Sequence, residues 1–111
     1  MDQTQNGKFI QLLDIFFRDL SNGEIIESDL TFYSFLCGKC SSQKVVNKSI
    51  DSLCKEYIVA DKPKSPRAIH NHLSRLIAAG HLQKNGSAIT IKTFVKNKNE
   101  YVIKGKKFKR Q

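Results

Sequence analysis

Arg67, His70, Asn71, Ser74 and Arg75 recur along SPRAIHNHLSRLIAAGHL, residues 65–82, at intervals that return to one side of an α-helix. Their chemistry is directional hydrogen bonding. A guanidinium or a carboxamide offers two polar atoms side by side, which suits a planar edge carrying two complementary groups. Imidazole and hydroxyl adapt to either sense. At about 100° per residue, Ile69, Leu73 and Leu76, flanked by Ile77, gather on the opposite side, so the stretch reads as an amphipathic helix with its polar face outward. The plain alternative is a solvated surface that only keeps the helix from aggregating.

The second constellation is thiol and imidazole. Cys37-Gly38-Lys39-Cys40 has the spacing of a zinc knuckle, with Cys54, His70, His72 and His81 available elsewhere. A closed zinc site needs a second close pair, and none is present. His70 and His72 lie about 200° apart around a helix and cannot share one ion. Cys37 and Cys54 fall at apolar positions, where thiols act as small hydrophobes. No metal or other cofactor is therefore expected. Catalysis finds no support either: the six glycines are scattered singly and form no phosphate-cradling loop. The ten acids form no evident pair for acid/base work, and nothing positions a cysteine–histidine nucleophile. The expectation is a non-catalytic chain.

Charge supplies the third signal. Residues 1–60 hold six Lys and Arg against eight acids, a net of −2, whereas residues 61–111 hold thirteen against two, a net of +11. Such asymmetry is the electrostatic footprint of a nucleic-acid binder, with a merely solubilising surface or attraction to acidic lipid as alternatives. Lys84, Lys92, Lys96 and Lys98 follow the arginine-bearing stretch and suit phosphate contacts, which position a protein without specifying sequence. Lys104, Lys106, Lys107, Lys109 and Arg110 would extend that contact. Binding of single strands would call for exposed aromatics on a basic face. Phe94, Tyr101 and Phe108 are the candidates in that half, and strand alternation would bury at least one.

The elements that must position these groups follow from length and pattern. At 111 residues, 40% hydrophobic and 26% charged, the chain has room for one core. It has no 18-residue apolar window, and its first residues lack a signal-peptide pattern. Three cysteines fit a reducing, cytoplasmic compartment, and no membrane partner is expected. Residues 8–20 predict a helix with Phe9, Leu13, Phe16 and Leu20 in register and Leu12 and Phe17 beside them. Its bulk serves either the core or a homodimer contact. Glu24-Ile25-Ile26 is a loop or an edge strand. Ser28 predicts the cap of a helix burying Leu30, Tyr33, Phe35 or Leu36, and Cys37.

Val45-Val46 can form a brief strand before SIDSLCKEYI, a helix packing Ile50, Leu53, Cys54 and Tyr57. Residues 60–64 form a loop around Pro63. Ser65 caps the next helix, with Pro66 at its first position and Gly80 at its exit. The period then changes to two. Residues 81–84 and 88–92 flank Asn85-Gly86, a strong hairpin signal. Residues 100–103 offer a third strand, and GKKFKRQ reads as a loose basic tail.

The run SIDSLCKEYIVADKPKSPRAIHNHLSRLIAAGHL, followed by QKNGSAITIKTF, resembles a winged helix-turn-helix domain over roughly residues 30–104. It is most similar to the N-terminal winged domains of plasmid and phage replication initiators, with VVNKSIDSLCKEY and SPRAIHNHLSRLIAAGHL standing in the place of that family's helix pair. It departs from them at Cys54, where alanine is usual, and in its long VADKPK turn. The resemblance implies an α+β, mostly helical fold: an extra N-terminal helix at 8–20, a helix-turn-helix at 48–80, a wing at 81–104 as a hairpin or three-stranded sheet, and a tail at 105–111. It also implies duplex DNA as partner, in replication initiation, partition or transcriptional control of a mobile element. A module binding single-stranded DNA or a protein partner is the alternative. Arg67, His70, Asn71, Ser74 and Arg75 would then face base edges.

Overall fold

The computed structural model describes residues 14–97 and 99–109. They form an α+β fold of four helices and small antiparallel sheets. Helix α1 is described from 14 to 21; residues 8–13 of the expected N-terminal helix, with Phe9, Leu12 and Leu13, lie outside the described residues. Then come α2 (Glu27–Lys39), β1 (Val45–Asn47), α3 (Ile50–Glu56), β2 (Ile58–Val59), β3 (Lys62–Pro63) and α4 (Pro66–Ala78). The chain ends in β4 (Leu82–Asn85), β5 (Ala88–Ile91), β6 (Phe94–Val95), β7 (Glu100–Ile103) and β8 (Lys106–Lys109). No described helix is long and apolar enough to cross a membrane.

The ends of α4 follow from its sequence. The Ser65 hydroxyl accepts a hydrogen bond from the Ala68 amide at 3.2 Å, and Pro66 opens the first turn. At the exit Gly80 takes φ +89°. The Gly80 amide donates to the Ile77 carbonyl and the His81 amide to the Leu76 carbonyl, the paired bonds of a Schellman motif. A side chain at Gly80 would be strained and would press on Lys104, whose stem lies 3.3 Å from the position a Cβ would take. Ile69, Leu73 and Leu76 of α4 bury with Phe32 and Leu36 of α2, Leu53 of α3, and Val46, Leu82, Ile89 and Ile91 of the strands. Phe16 and Leu20 pack against that core.

β5 is the centre of the sheet β1–β5–β4, whose hairpin pairs Asn85 with Ala88 around Gly86-Ser87, one residue later than the expected turn. The third expected strand does not join it: β7 pairs with β6 and β8 in a separate sheet.

Several expectations are corrected. Helix α2 starts before Ser28, with Ile26 at the cap and its amide donating to Asp29 Oδ2 at 2.9 Å. The helix buries Asp29, Phe32, Tyr33 and Leu36, while Leu30 is half-buried and Cys37 exposed. The apolar stripe runs through Asp29 instead of Leu30. Helix α3 stops at Glu56, short of the expected SIDSLCKEYI, and Ile58-Val59 pairs with Lys62-Pro63 of the expected 60–64 loop in a small hairpin whose central residues Ala60 and Asp61 both take positive φ, 54° and 63°. That is the turn that matches strand twist, adopted here without glycine. Residues 106–109, expected as a loose tail, are strand β8. Its turn with β7 places Lys104 and Gly105 at φ 52° and 85°. The Gly105 amide donates to the Lys92 carbonyl at 2.8 Å and ties this turn to the end of β5.

Candidate nucleic-acid interface

Helix α4 rests on α2, α3 and β4 through its apolar side, and this fixes what its remaining faces can do. Arg67, His70, Asn71 and Ser74 are exposed along one strip. The β2–β3 hairpin, which fills the connection between α3 and α4, leaves them so. No acid stands in the first turn of α4, so the positive end of the helix dipole and the Arg67 guanidinium reinforce each other toward an anionic partner.

Arg75 sits elsewhere. Its guanidinium closes on the buried Asp29 carboxylate of α2, with Nε donating to Oδ2 at 2.7 Å and one terminal nitrogen to Oδ1 at 2.9 Å. His72 Nδ1 meets the same Oδ1 at 2.7 Å. Burial alone would raise the Asp29 carboxyl, but the hydrogen bonds from Arg75, His72 and the Ile26 amide outweigh it and hold it below the ordinary value of 3.8. At about 100° per residue, His72 lies about 60° from Ile69 and Arg75 about 120° from it on the same side. This flank is distinct from the outward strip.

A second buried couple lies under α1. His81 is fully buried, its Nε2 2.6 Å from Asp19 Oδ2 and its Nδ1 2.7 Å from the Thr93 hydroxyl. Lys104 Nζ reaches Asp19 at 3.2 Å, and the Lys104 amide donates to the Thr93 hydroxyl at 3.0 Å. The ionised Asp19 carboxylate only accepts, so the imidazole carries a proton on Nε2, and in the neutral ring Nδ1 accepts from the Thr93 hydroxyl. The Tyr33 hydroxyl donates to the Thr93 carbonyl, and the Phe16 ring lies 4.6 Å from the His81 ring.

The lysines are distributed over both sheets. Lys84 Nζ donates to the Gly86 carbonyl at the β4–β5 turn, and Lys92 Nζ to Gln83 Oε1. Lys96 stands 4.0 Å from Glu100. Lys106, Lys107 and Lys109 are exposed on β8. Lys98 and Arg110 lie outside the described residues. Among the described residues no group of three His, Cys, Asp or Glu side chains is placed to hold a metal ion, and Cys37, Cys40 and Cys54 are free thiols.

Sequence reasoning did not find Asp29, Asp19 or Thr93 as partners of the histidines and Arg75. One signal was present: Asp29 precedes Phe32, Tyr33 and Leu36 by three, four and seven residues, the register of a buried face. No protein-family model, curated protein or solved structure matches the chain.

Proposed function

We propose that this chain is a non-catalytic protein that binds duplex DNA sequence-specifically through a winged helix-turn-helix. In this reading α3 and α4 are the helix pair, and the β4–β5 hairpin, joined by β1, is the wing. The order helix, strand, helix, short hairpin, helix, hairpin supports it, as does the net of +11 over residues 61–111. The observation that carries it is the outward strip Arg67, His70, Asn71 and Ser74 on a helix that is capped and backed by the core. Lying in a major groove, Arg67 pairs bidentately with guanine and Asn71 with adenine, while His70 and Ser74 take adaptable contacts. Lys84, Lys92 and Lys96 face phosphate.

The protein works in the cytoplasm as a homodimer paired through its N-terminal helix, where Phe17 is 54% exposed. By the resemblance of its helix pair, it serves replication initiation, partition or transcriptional control of a mobile element. The test is selection of preferred duplexes from a random pool, followed by titration against scrambled duplexes at two salt concentrations. The expected result is a preference that survives the higher salt, on a site of two half-sites about one helical turn apart. Equal affinity for all duplexes would overturn the reading.

A further inference from the structure

The sheet β6–β7–β8 has one face that the proposed duplex contact does not use. Val95, Tyr101 and Phe108 are direct cross-strand partners in its three strands, so all three side chains project from the same face. Val102, one residue on, is buried, and Phe94, its partner, packs against the core. Alternation therefore turns Phe94 inward and leaves Tyr101 and Phe108 on the outer face. Phe108 is 40% exposed and Val95 42%.

The Tyr101 and Phe108 rings lie nearly parallel, 11° apart with centroids 5.5 Å apart. β8 is the edge strand of its sheet, so among the described residues no strand follows on the far side of Phe108. The stack of rings ends there.

We propose that this outer face is a second nucleic-acid site that takes unpaired bases, one of which continues the Tyr101–Phe108 stack. Charge complementarity selects this occupant. Residues 94–109 carry six lysines and one acid, a net of +5, with Lys106 on the same face as Phe108 and Lys107 and Lys109 alternating along the same edge strand. Two copies of so basic a segment repel each other, which argues against self-docking. A flat, open ring beside a row of lysines matches a strand in which every base has a π-face and every phosphate a charge. An acyl chain needs no parallel ring face, so a lipid surface leaves the ring geometry without a purpose.

The site is independent of the duplex reading, since it uses neither Arg67 nor Asn71. The experiment uses the full chain and four probes: a labelled oligothymidylate, an oligomer of the same length made of abasic units, a duplex, and phosphatidylserine vesicles. The expected result is that Phe108→Ala lowers affinity for oligothymidylate roughly tenfold, the effect of one base stack, and leaves abasic and duplex affinities unchanged. Phe108→Leu should lose as much, because it keeps the apolar bulk without the π-face. The chain contains no tryptophan, so Phe108→Trp introduces a lone indole. That variant should retain affinity, and its emission should be quenched by oligothymidylate but not by the abasic oligomer. The proposal is overturned if Phe108→Leu binds as tightly as the parent chain, or if the indole is not quenched. It is also overturned if the dependence on Phe108 appears only with the vesicles, which would assign the face to a lipid surface.

Discussion

On one flank of α4, Arg75 and His72 close on the Asp29 carboxylate; on another, Arg67 and His70 stand exposed with Asn71 and Ser74. The two couples are built from the same residue types on the same helix, and what separates them is the neighbour each meets. Asp29 is fully buried and its charge requires donors, so the flank facing α2 is committed to holding the two helices in register. Among the described residues the outward strip is left exposed.

The comparison is broken most severely at the buried acid. Asp29→Ala removes the acceptor shared by Arg75, His72 and the Ile26 amide, and it leaves the buried His72 without its partner. The expected cost is about 3–5 kcal/mol of unfolding free energy, as when one member of a buried ion pair is removed. Arg75, partly exposed, loses less because its guanidinium can turn to water. Arg67→Ala on the outward strip should change stability by no more than about 0.5 kcal/mol. Urea unfolding of both variants measures the contrast, and equal losses would show that the two flanks do not differ in structural role.

The caps of α4 were legible because their chemistry is local: Ser65-Pro66 and Gly80 each act within four residues. The β4–β5 hairpin was legible for the same reason, as was β1 in Val45-Val46. The Asp29–Arg75 pair was not, because its partners are separated by 46 residues and only the packing of α2 on α4 brings them together. Arg75 was therefore grouped with Arg67 on spacing that suits both flanks. The β2–β3 hairpin was hidden by a turn that uses Ala60 and Asp61 where asparagine and glycine are usual. Strand β8 was hidden because Lys106-Lys107-Phe108-Lys109 has no apolar alternation. It is held by pairing with β7, and only its single ring packs on Tyr101.

The outward strip is tested by the reverse measurement. Arg67→Ala or Asn71→Ala should cost about 1–3 kcal/mol on the preferred duplex and relax discrimination at the contacted base. The unfolding midpoint should stay where it was. Fluorescence anisotropy on matched and mismatched duplexes reads the effect. If both substitutions are silent while changes at the wing lysines abolish binding, the strip is not the reading surface and the affinity resides in charge.

The smallest expected effect concerns the other buried couple, and its sign follows from burial. At neutral pH the His81 ring is uncharged, donating from Nε2 to Asp19 and accepting from Thr93 at Nδ1. Burial holds its pKa below the ordinary 6.5, even though the hydrogen bond and charge of Asp19 pull it upward; Lys104 adds to the lowering. Burial would likewise raise the Asp19 carboxyl, but hydrogen bonds from His81 and Lys104 hold it below 3.8. The unfolded chain takes up the His81 proton near 6.5, and the folded chain only at lower pH. The stability contribution is thus complete above 6.5 and is lost as pH falls through the folded value, with a slope of at most about 1.4 kcal/mol per pH unit for one proton. Asp19 and Asp29, both held below 3.8, add losses of the same sign as pH falls from the unfolded carboxylate value through their folded ones. Urea midpoints across a pH series should decline on the acid side of 6.5 in the parent chain. In His81→Gln they should start lower and decline less steeply over the same range, because the titrating ring is gone. An unchanged slope in that variant would mean that His81 takes up its proton as readily folded as unfolded, and that burial under Phe16 and Tyr33 does not exclude charge from this couple.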